Sequence, residues 1–336
     1  MGKRRTDRIV VPDEPIKYRA DWQTHWPAHV APLRQGKFLV QTTDTLSIHG
    51  DAPKDFIRIR EYVPGTQTGN WQSWPAWIAK VGSKYYPIES VTEQLLTRVG
   101  QTMGFDVAES QLRMVGRQVR FLSRYFLQED EQLVHGIELF QWHLDEDLVE
   151  EIANARAEQE FYTFQTVTEA VREAFPDDHE SILCGFVEML AFDAITGQND
   201  RHPANWGVVV PVTREGRPKF SPIYDSARAL LWNNAEAKLH VFARDQQSFD
   251  AYIRRSHPQI GWDDAGKIDH FDLIQNIWKQ FPQFRPHLER FSDPSLADKC
   301  RKLLEEEFSA VMSELRRDLI GRCLSKRMAK FSEMLG

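Results

Sequence analysis

The chain is short of cysteine, of net positive charge and of long apolar runs, and each shortage removes a class of protein. Its 336 residues hold three cysteines, Cys184, Cys300 and Cys323. They stand far apart without metal-ligand spacing, which argues against a disulfide framework or a cysteine metal site and predicts a reducing, cytoplasmic setting. Cys184 falls in an apolar run and is expected in the core. Acidic residues outnumber basic ones, for a formal net charge of −7, which argues against a broad nucleic-acid-binding face. The best candidate for a membrane span, residues 182–195, is interrupted by Glu188 and Asp193 and is too short to cross a bilayer. The start, Met1-Gly2-Lys3-Arg4-Arg5-Thr6, has no apolar region after it and is not a secretory signal. It fits the permissive myristoylation pattern, yet reads better as a solvated basic terminus. Internal repeats and low-complexity stretches are also absent.

What is present is a globular composition, 41% hydrophobic and 27% charged, with length enough for two lobes around a large core. Residues 199–225 are the most informative. Asp200, His202 and Asn205 precede two extended runs, 208–212 and 220–224, which Glu215-Gly216-Arg217-Pro218 joins; Asp225 follows. β-Branched runs around a short glycine-containing connection predict a β-hairpin. Such a hairpin brings Asn205 and Asp225 together at its mouth. One amide oxygen and one carboxylate there suit Mg²⁺, a hard cation that takes a few oxygen ligands plus phosphate oxygens. Asp200 stands beside them as a base or hydroxyl-orienting group.

The segments upstream supply other groups. Residues 1–40, rich in Pro, Trp and charge, read as an irregular arm packed on the first lobe. A polar stretch over 44–54, containing Gly50, opens onto an alternating strand over 56–60; it either cradles phosphates with backbone N–H groups or forms an ordinary turn. Residues 75–82 are strand-like and carry Lys80, which snorkels to solvent unless a carboxylate and a phosphate meet it. Residues 90–103 place Val91, Leu95, Val99 and Met103 at helical spacing and end at Gly104. Glu93 has two readings: it closes a capping box with Ser90, or it pairs with Lys80 and holds it toward a nucleotide. Runs at 112–115 and 119–125 complete a small sheet with one helix. Helical composition follows over 145–175, then a buried helix over 181–196 that ends at Gly197 and delivers the chain to Asp200. Beyond Asp225 the pattern is mostly helical, with long helices expected over 296–315 and 319–335.

This order resembles that of the HipA-like serine/threonine kinases, the toxin kinases of bacterial toxin–antitoxin modules, across residues 43–335. Four segments carry the resemblance: Leu46-Ser47-Ile48-His49-Gly50-Asp51-Ala52-Pro53-Lys54, Trp77-Ile78-Ala79-Lys80, Asn199-Asp200-Arg201-His202-Pro203-Ala204-Asn205 and Tyr224-Asp225. It implies an α+β, two-lobed protein-kinase-like fold, with an N-terminal arm over 1–42, a mainly β lobe over 43–127 and a mainly helical lobe over 128–336. It also implies dependence on ATP and Mg²⁺. Ser47, Ile48, His49, Gly50 and Lys54 would then form the phosphate loop, Lys80 held by Glu93 would neutralise phosphates, and Ser123 to Tyr125 would offer backbone groups to adenine. Asp200 would orient or deprotonate the acceptor hydroxyl, His202 would brace the catalytic loop, and Asn205 with Asp225 would hold Mg²⁺. Ser47 matches the serine that these kinases autophosphorylate as an inhibitory switch; a plain turn hydrogen bond is its other reading.

In two respects the chain departs from the longer relatives. Little sequence precedes the loop, as in the short, HipT-like form whose missing piece can be a separate protein. Ala204 stands where many relatives carry lysine, which leaves Arg201 as the expected cation nearest the γ-phosphate. The implied activity is phosphorylation of a translation component, with an aminoacyl-tRNA synthetase as the family-based substrate, an antitoxin protein as partner, and no direct nucleic-acid or membrane contact. Two alternatives stand beside it: a phosphoinositide kinase, because Asp200-Arg201-His202 followed by Asn205 also resembles the loop of lipid kinases, and a catalytically silent nucleotide-binding scaffold that holds an antitoxin on DNA.

Overall fold

The computed structural model describes residues 5–6, 29–34, 36–41, 54–61, 63–82, 84–115, 118–143, 162–213, 215–263 and 267–336. The expectations for Ser47, Ile48, His49 and Gly50, and for the helical composition of 145–161, lie outside the described residues.

Six strands form the first sheet: β1 (Arg5–Thr6), β2 (Phe38–Gln41), β3 (Lys54–Ile59), β4 (Ala76–Lys80), β5 (Ser110–Val115) and β6 (Gln118–Arg124). Their order is β1-β2-β3-β4-β6-β5, antiparallel throughout. The stretch expected to be an irregular arm therefore contributes β1 and most of β2. Its Pro- and Trp-rich composition hid the short alternation in which Phe38 and Val40 turn inward.

Side-chain alternation gives this sheet two chemically different faces. Ile57, Ile59, Trp77, Ala79 and Leu122 join Phe38, Val40 and Val115 in one apolar cluster. On the other face the register aligns Lys54 with Lys80 and Phe121, and Phe56 with Ile78 and Ser123. Two ammonium groups directly across a strand pair repel, so this face needs carboxylates.

Helix α1 (Ile88–Met103) packs on β5 and β6 and begins two residues before the periodic pattern does, with Pro87 at its N-cap. Ser90 is consequently inside the helix, where its Oγ accepts the Gly82 N–H at 3.2 Å. Glu93 therefore sits in the second turn rather than at a capping position, and its carboxylate is available to the sheet.

A second sheet follows, β7 (Glu131–His135), β8 (Gly207–Pro211) and β9 (Lys219–Phe220), antiparallel and in that order. The β8–β9 pair is the expected hairpin, although its second arm is regular over two residues only. Ile223 bridges Val107 instead, tying the hairpin's return to the region between α1 and β5. Helix α2 (Gly136–His143) starts beneath Trp206, the residue after Asn205. A Cβ on Gly136 would lie 2.3, 2.5 and 2.8 Å from three atoms of the indole. Because Trp206 is also fixed by its Nε1–H donating to Tyr162 Oη at 2.8 Å, Gly136→Ala is expected to lower stability by about 1–3 kcal/mol through overpacking. The midpoint of denaturant unfolding reads this directly, and an unchanged midpoint would contradict it.

Among the described residues the other α-helices are α3 (Phe164–Ala174), α4 (His179–Thr196), α5 (Glu236–Arg244), α6 (Gln246–Arg254), α7 (His270–Gln280), α8 (Arg285–Glu289), α9 (Ser295–Phe308) and α10 (Glu314–Leu335). Residues apolar on most faces make α4 the buried axis of this lobe, as its composition predicts. It stops at Gly197, whose φ of +75° is a left-handed conformation that a side chain would strain. The helix expected over 296–315 breaks at 309–313, because Ser313 caps α10 by accepting the Arg316 N–H at 3.2 Å. All three cysteines are thiols; Cys300 and Cys323 are buried, whereas Cys184 is only half-buried against the core. No helix among the described residues is long and apolar enough to cross a membrane.

Candidate active site

The two cross-strand lysines of the first sheet find their carboxylates on α1 and after the hairpin. Lys80 Nζ lies 2.8 Å from Glu93 Oε1 and 3.1 Å from Asp225 Oδ1, and Lys54 Nζ lies 3.5 Å from Asp225 Oδ2. Two cations thus face two anions, largely shielded from water. Burial lowers the Lys54 pKa and the adjacent Lys80 adds to the effect, with Asp225 opposing. On Lys80 burial acts the same way, but Asp225 and Glu93 outweigh it and the pKa rises. Burial pulls Asp225 upward, yet Lys80 and Lys54 carry its carboxyl well below the usual carboxylate range. Lys80 stays cationic and Asp225 anionic, the charge states that phosphate and metal binding require.

Asp225 has φ +53°, in the left-handed region that Asp tolerates better than most residues. Arg201 fixes its approach. The Arg201 Nε and Nη2 donate to the two carboxylate oxygens of Asp193, each at 3.0 Å. Its Nη1 donates to Asn205 O at 3.0 Å and to Tyr224 O at 2.6 Å, and Nη2 also reaches Ser226 Oγ at 2.9 Å. One guanidinium therefore joins α4, the loop at Asn205 and the residue before Asp225, and all five of its N–H groups are spent. The expectation that Arg201 is the cation nearest the γ-phosphate is corrected. The side chain turns inward because Asp193, buried within α4, requires a counter-charge. Lys54 and Lys80 are the cations beside Asp225.

Within the loop, the Asn205 amide donates from Nδ2 to Asp200 O at 2.8 Å. Its Oδ1 accepts no hydrogen bond among the described residues, so it and the Asp225 carboxylate present hard oxygen donors. This set fits Mg²⁺, which binds through one or two protein oxygens together with substrate phosphates. The described residues contain no cluster of three or more His, Cys, Asp or Glu that would form an all-protein cage. Asp200 Oδ1 pairs with Arg228 Nη1 at 2.9 Å, a contact that the sequence reading missed. Burial raises the Asp200 pKa against the pull of Arg228. His202 Nδ1 accepts the Ala204 N–H at 3.3 Å, and burial lowers its pKa, which keeps the imidazole neutral. Its bond is to its own loop.

On the sheet side, Glu93, Phe121, Ser123 and Asp225 line one small cavity. The Phe56 and Tyr125 rings meet edge to face at 5.2 Å at its neighbouring row. The Tyr125 N–H donates to Ala76 O at 3.0 Å and is therefore not available to an adenine. The structure thus brings together Lys54, Lys80, Glu93, Ser123 and Asp225, and separately ties Asn205 to Asp200 and to Tyr224.

The family model for the HipA-like C-terminal domain matches residues 35–312. No curated protein sequence matches the chain. Among solved structures, the chain is similar to the Helicobacter pylori proinflammatory kinase CtkA, with a TM-score of 0.66 and 16% identity over 83% of this chain and 92% of that one. The HipA of a Shewanella oneidensis MR-1 toxin–antitoxin system, solved with HipB and operator DNA, aligns with a TM-score of 0.48 and 13% identity, over 86% of this chain and 65% of that one. The match spans the strands that carry both lysines, the loop of Asp200 and Asn205, and Asp225: the chain belongs to the HipA-like C-terminal domain family and is, with that family, a serine/threonine protein kinase.

Proposed function

We propose that the chain is the Mg²⁺-dependent toxin kinase of a toxin–antitoxin pair, that it phosphorylates a translation component such as an aminoacyl-tRNA synthetase, and that phosphorylation of its own Ser47 inhibits it. The observation that carries the catalytic part is the Lys80–Glu93–Asp225 triangle, joined through Arg201 to the loop of Asp200 and Asn205. ATP follows from the family; the Asn205 and Asp225 oxygen donors support the metal. Mg²⁺ held by Asn205 and Asp225 would neutralise charge on the transferring phosphate. The chain's own residues do the remainder. Lys80, fixed by Glu93, meets the nucleotide phosphates, and Lys54 adds a second cation beside them. Asp200 accepts the hydroxyl proton of the acceptor serine or threonine as that oxygen attacks phosphorus, and the bond to the leaving diphosphate breaks in line. Arg228 holds the Asp200 carboxylate in place. A phosphate on Ser47 would compete with the nucleotide for these cations.

Purified full-length protein is expected to transfer label from γ-labelled ATP to itself and to a protein of a cell lysate, and not to phosphoinositide vesicles. Mass spectrometry then locates the modified residues; an unmodified Ser47 in autophosphorylated protein would remove the switch. Lys80→Met is expected to lower kcat/KM for ATP by about 10²–10³-fold, the usual size of one lost electrostatic contact to the transition state. Lipid-only labelling would overturn the protein-kinase assignment.

The pH dependence has a definite sign. With its pKa raised, the Asp200 carboxylate is protonated and unable to accept a proton at low pH, so kcat/KM falls on acidification, with a midpoint above the ordinary Asp value of about 4. Asp225, shifted the other way, remains ionised there, and neutral His202 adds no limb near neutrality. A pH–rate profile checks this, and an acid limb that disappears in His202→Gln would assign the proton to the imidazole instead.

A further inference from the structure

We propose that a second cavity, behind the catalytic loop, is an anion subsite that takes a carboxylate or phosphate side chain flanking the acceptor hydroxyl of the substrate protein. This rests on the kinase reading above. The cavity measures about 230 Å³. Asn199 of the catalytic loop, the segment after Asp225, the end of α6 and the middle of α10 wall it.

Among the described residues Arg228, Arg255 and Arg327 line it and no Asp or Glu does; of the three arginines, Arg228 is paired with Asp200, which is not part of the lining. Arg327 is 2% exposed, with Nε spent on Ala194 O at 2.7 Å and Nη1 on Ile253 O at 2.9 Å. Its Nη2 is buried and meets no acceptor among the described residues. A buried guanidinium N–H without an acceptor is costly, and Arg327 carries this incompletely matched cation in the cavity wall. Arg255 is exposed and stands at the rim. The volume is below the 300–1,000 Å³ typical of pockets that enclose a whole small-molecule ligand, and it suits a single side chain.

The wall is also strained. Leu230 and Leu231 have φ values of +48° and +65°, a conformation that branched side chains avoid. Tyr252 Oη accepts the Leu231 N–H at 2.7 Å, and Arg316 Nη1 donates to Leu231 O at 3.1 Å, so the surrounding bonds impose it. Backbone strain held in this way collects at ligand-binding segments. Arg228 supplies the link to chemistry, because it lines the cavity and bonds Asp200 Oδ1 at 2.9 Å. An anion seated here is one guanidinium away from the carboxylate that receives the acceptor's proton.

The test is a serine-centred positional peptide library, phosphorylated by the full chain with Mg²⁺ and ATP. Expected is a preference of about tenfold or more, equivalent to one good charge-assisted contact, for Asp, Glu or phosphoserine over Ala at one flanking position. That ratio should collapse in Arg255→Ala and turn toward Lys or Arg in Arg255→Glu. A readout independent of turnover is the thermal midpoint with Mg²⁺ and ADP saturating: inorganic phosphate should raise it in the wild type and not in Arg255→Ala. Peptide labelling without acidic preference, and no phosphate effect, would overturn the subsite while leaving the kinase standing. A phosphate effect without peptide preference would make the cavity a site for free anions and overturn the acceptor assignment. A phosphate effect with no labelling of any protein or peptide would sink the kinase reading, and the acceptor assignment with it.

Discussion

Asp200→Asn should lower phosphoryl transfer by about 10²–10⁴-fold, the range over which a positioned general base contributes, with the fold and nucleotide binding kept. The exchange is close to isosteric and removes the one carboxylate of the loop whose pKa is raised. The loop's shape does not depend on that side chain. The Asp200 carbonyl accepts the Asn205 amide, and Arg201 joins Asn205 O to Tyr224 O. Label transfer from γ-labelled ATP measures the loss, and binding of a fluorescent ATP analogue serves as the control. Robust labelling by the variant would remove Asp200 from the base role.

The neighbouring position should behave in the opposite way. Arg201→Met is expected to cost about 3–5 kcal/mol of stability, because it strands the buried Asp193 carboxylate without its partner. Activity should vanish with it, since Arg201 Nη1 is the donor that bridges Asn205 O and Tyr224 O. The double variant Arg201→Met, Asp193→Leu separates the two effects. Replacing a whole buried ion pair by apolar groups is often neutral for stability, so much of the unfolding free energy should return while transfer stays lost. Recovery of transfer in the double variant would show that Arg201 only neutralises Asp193.

These two adjacent residues also mark the limit of what could be read from sequence. The polar residues after α4 and the run that returns to Asp225 declared a site, because Asp-x-His-x-x-Asn before a hairpin has few structural uses. Arg201 was assigned to the wrong side of the loop. Asp193 was the available signal: an acid in the apolar last turns of α4, eight residues before an arginine, demands a buried partner. Glu93 was ambiguous because Ser90-Val91-Thr92-Glu93 satisfies a capping box, and only the start of α1 at Ile88 removed that reading. Lys54 and Lys80 could each be placed on a strand, but their cross-strand pairing depends on register, which alternation alone does not give. Arg228 had no periodic or motif context, so its contact with Asp200 could not be foreseen. The fold was legible where periodicity was long, as in α1 and α4, and lost where elements were short, as in β1 and β2, or where a single serine restarted a helix, as at Ser313.

The last helix has a consequence for when activity can first arise. Arg316 donates to Leu231 O and Asn234 O, and Arg327 donates to Ala194 O and Ile253 O, so α10 buttresses both the end of α4 and the segment that follows Asp225. Chains are made N-terminus first and fold as they emerge. Every group proposed above to handle phosphate is therefore synthesised well before the two arginines that brace their surroundings. A nascent copy is expected to remain silent until Arg327 has cleared the ribosome.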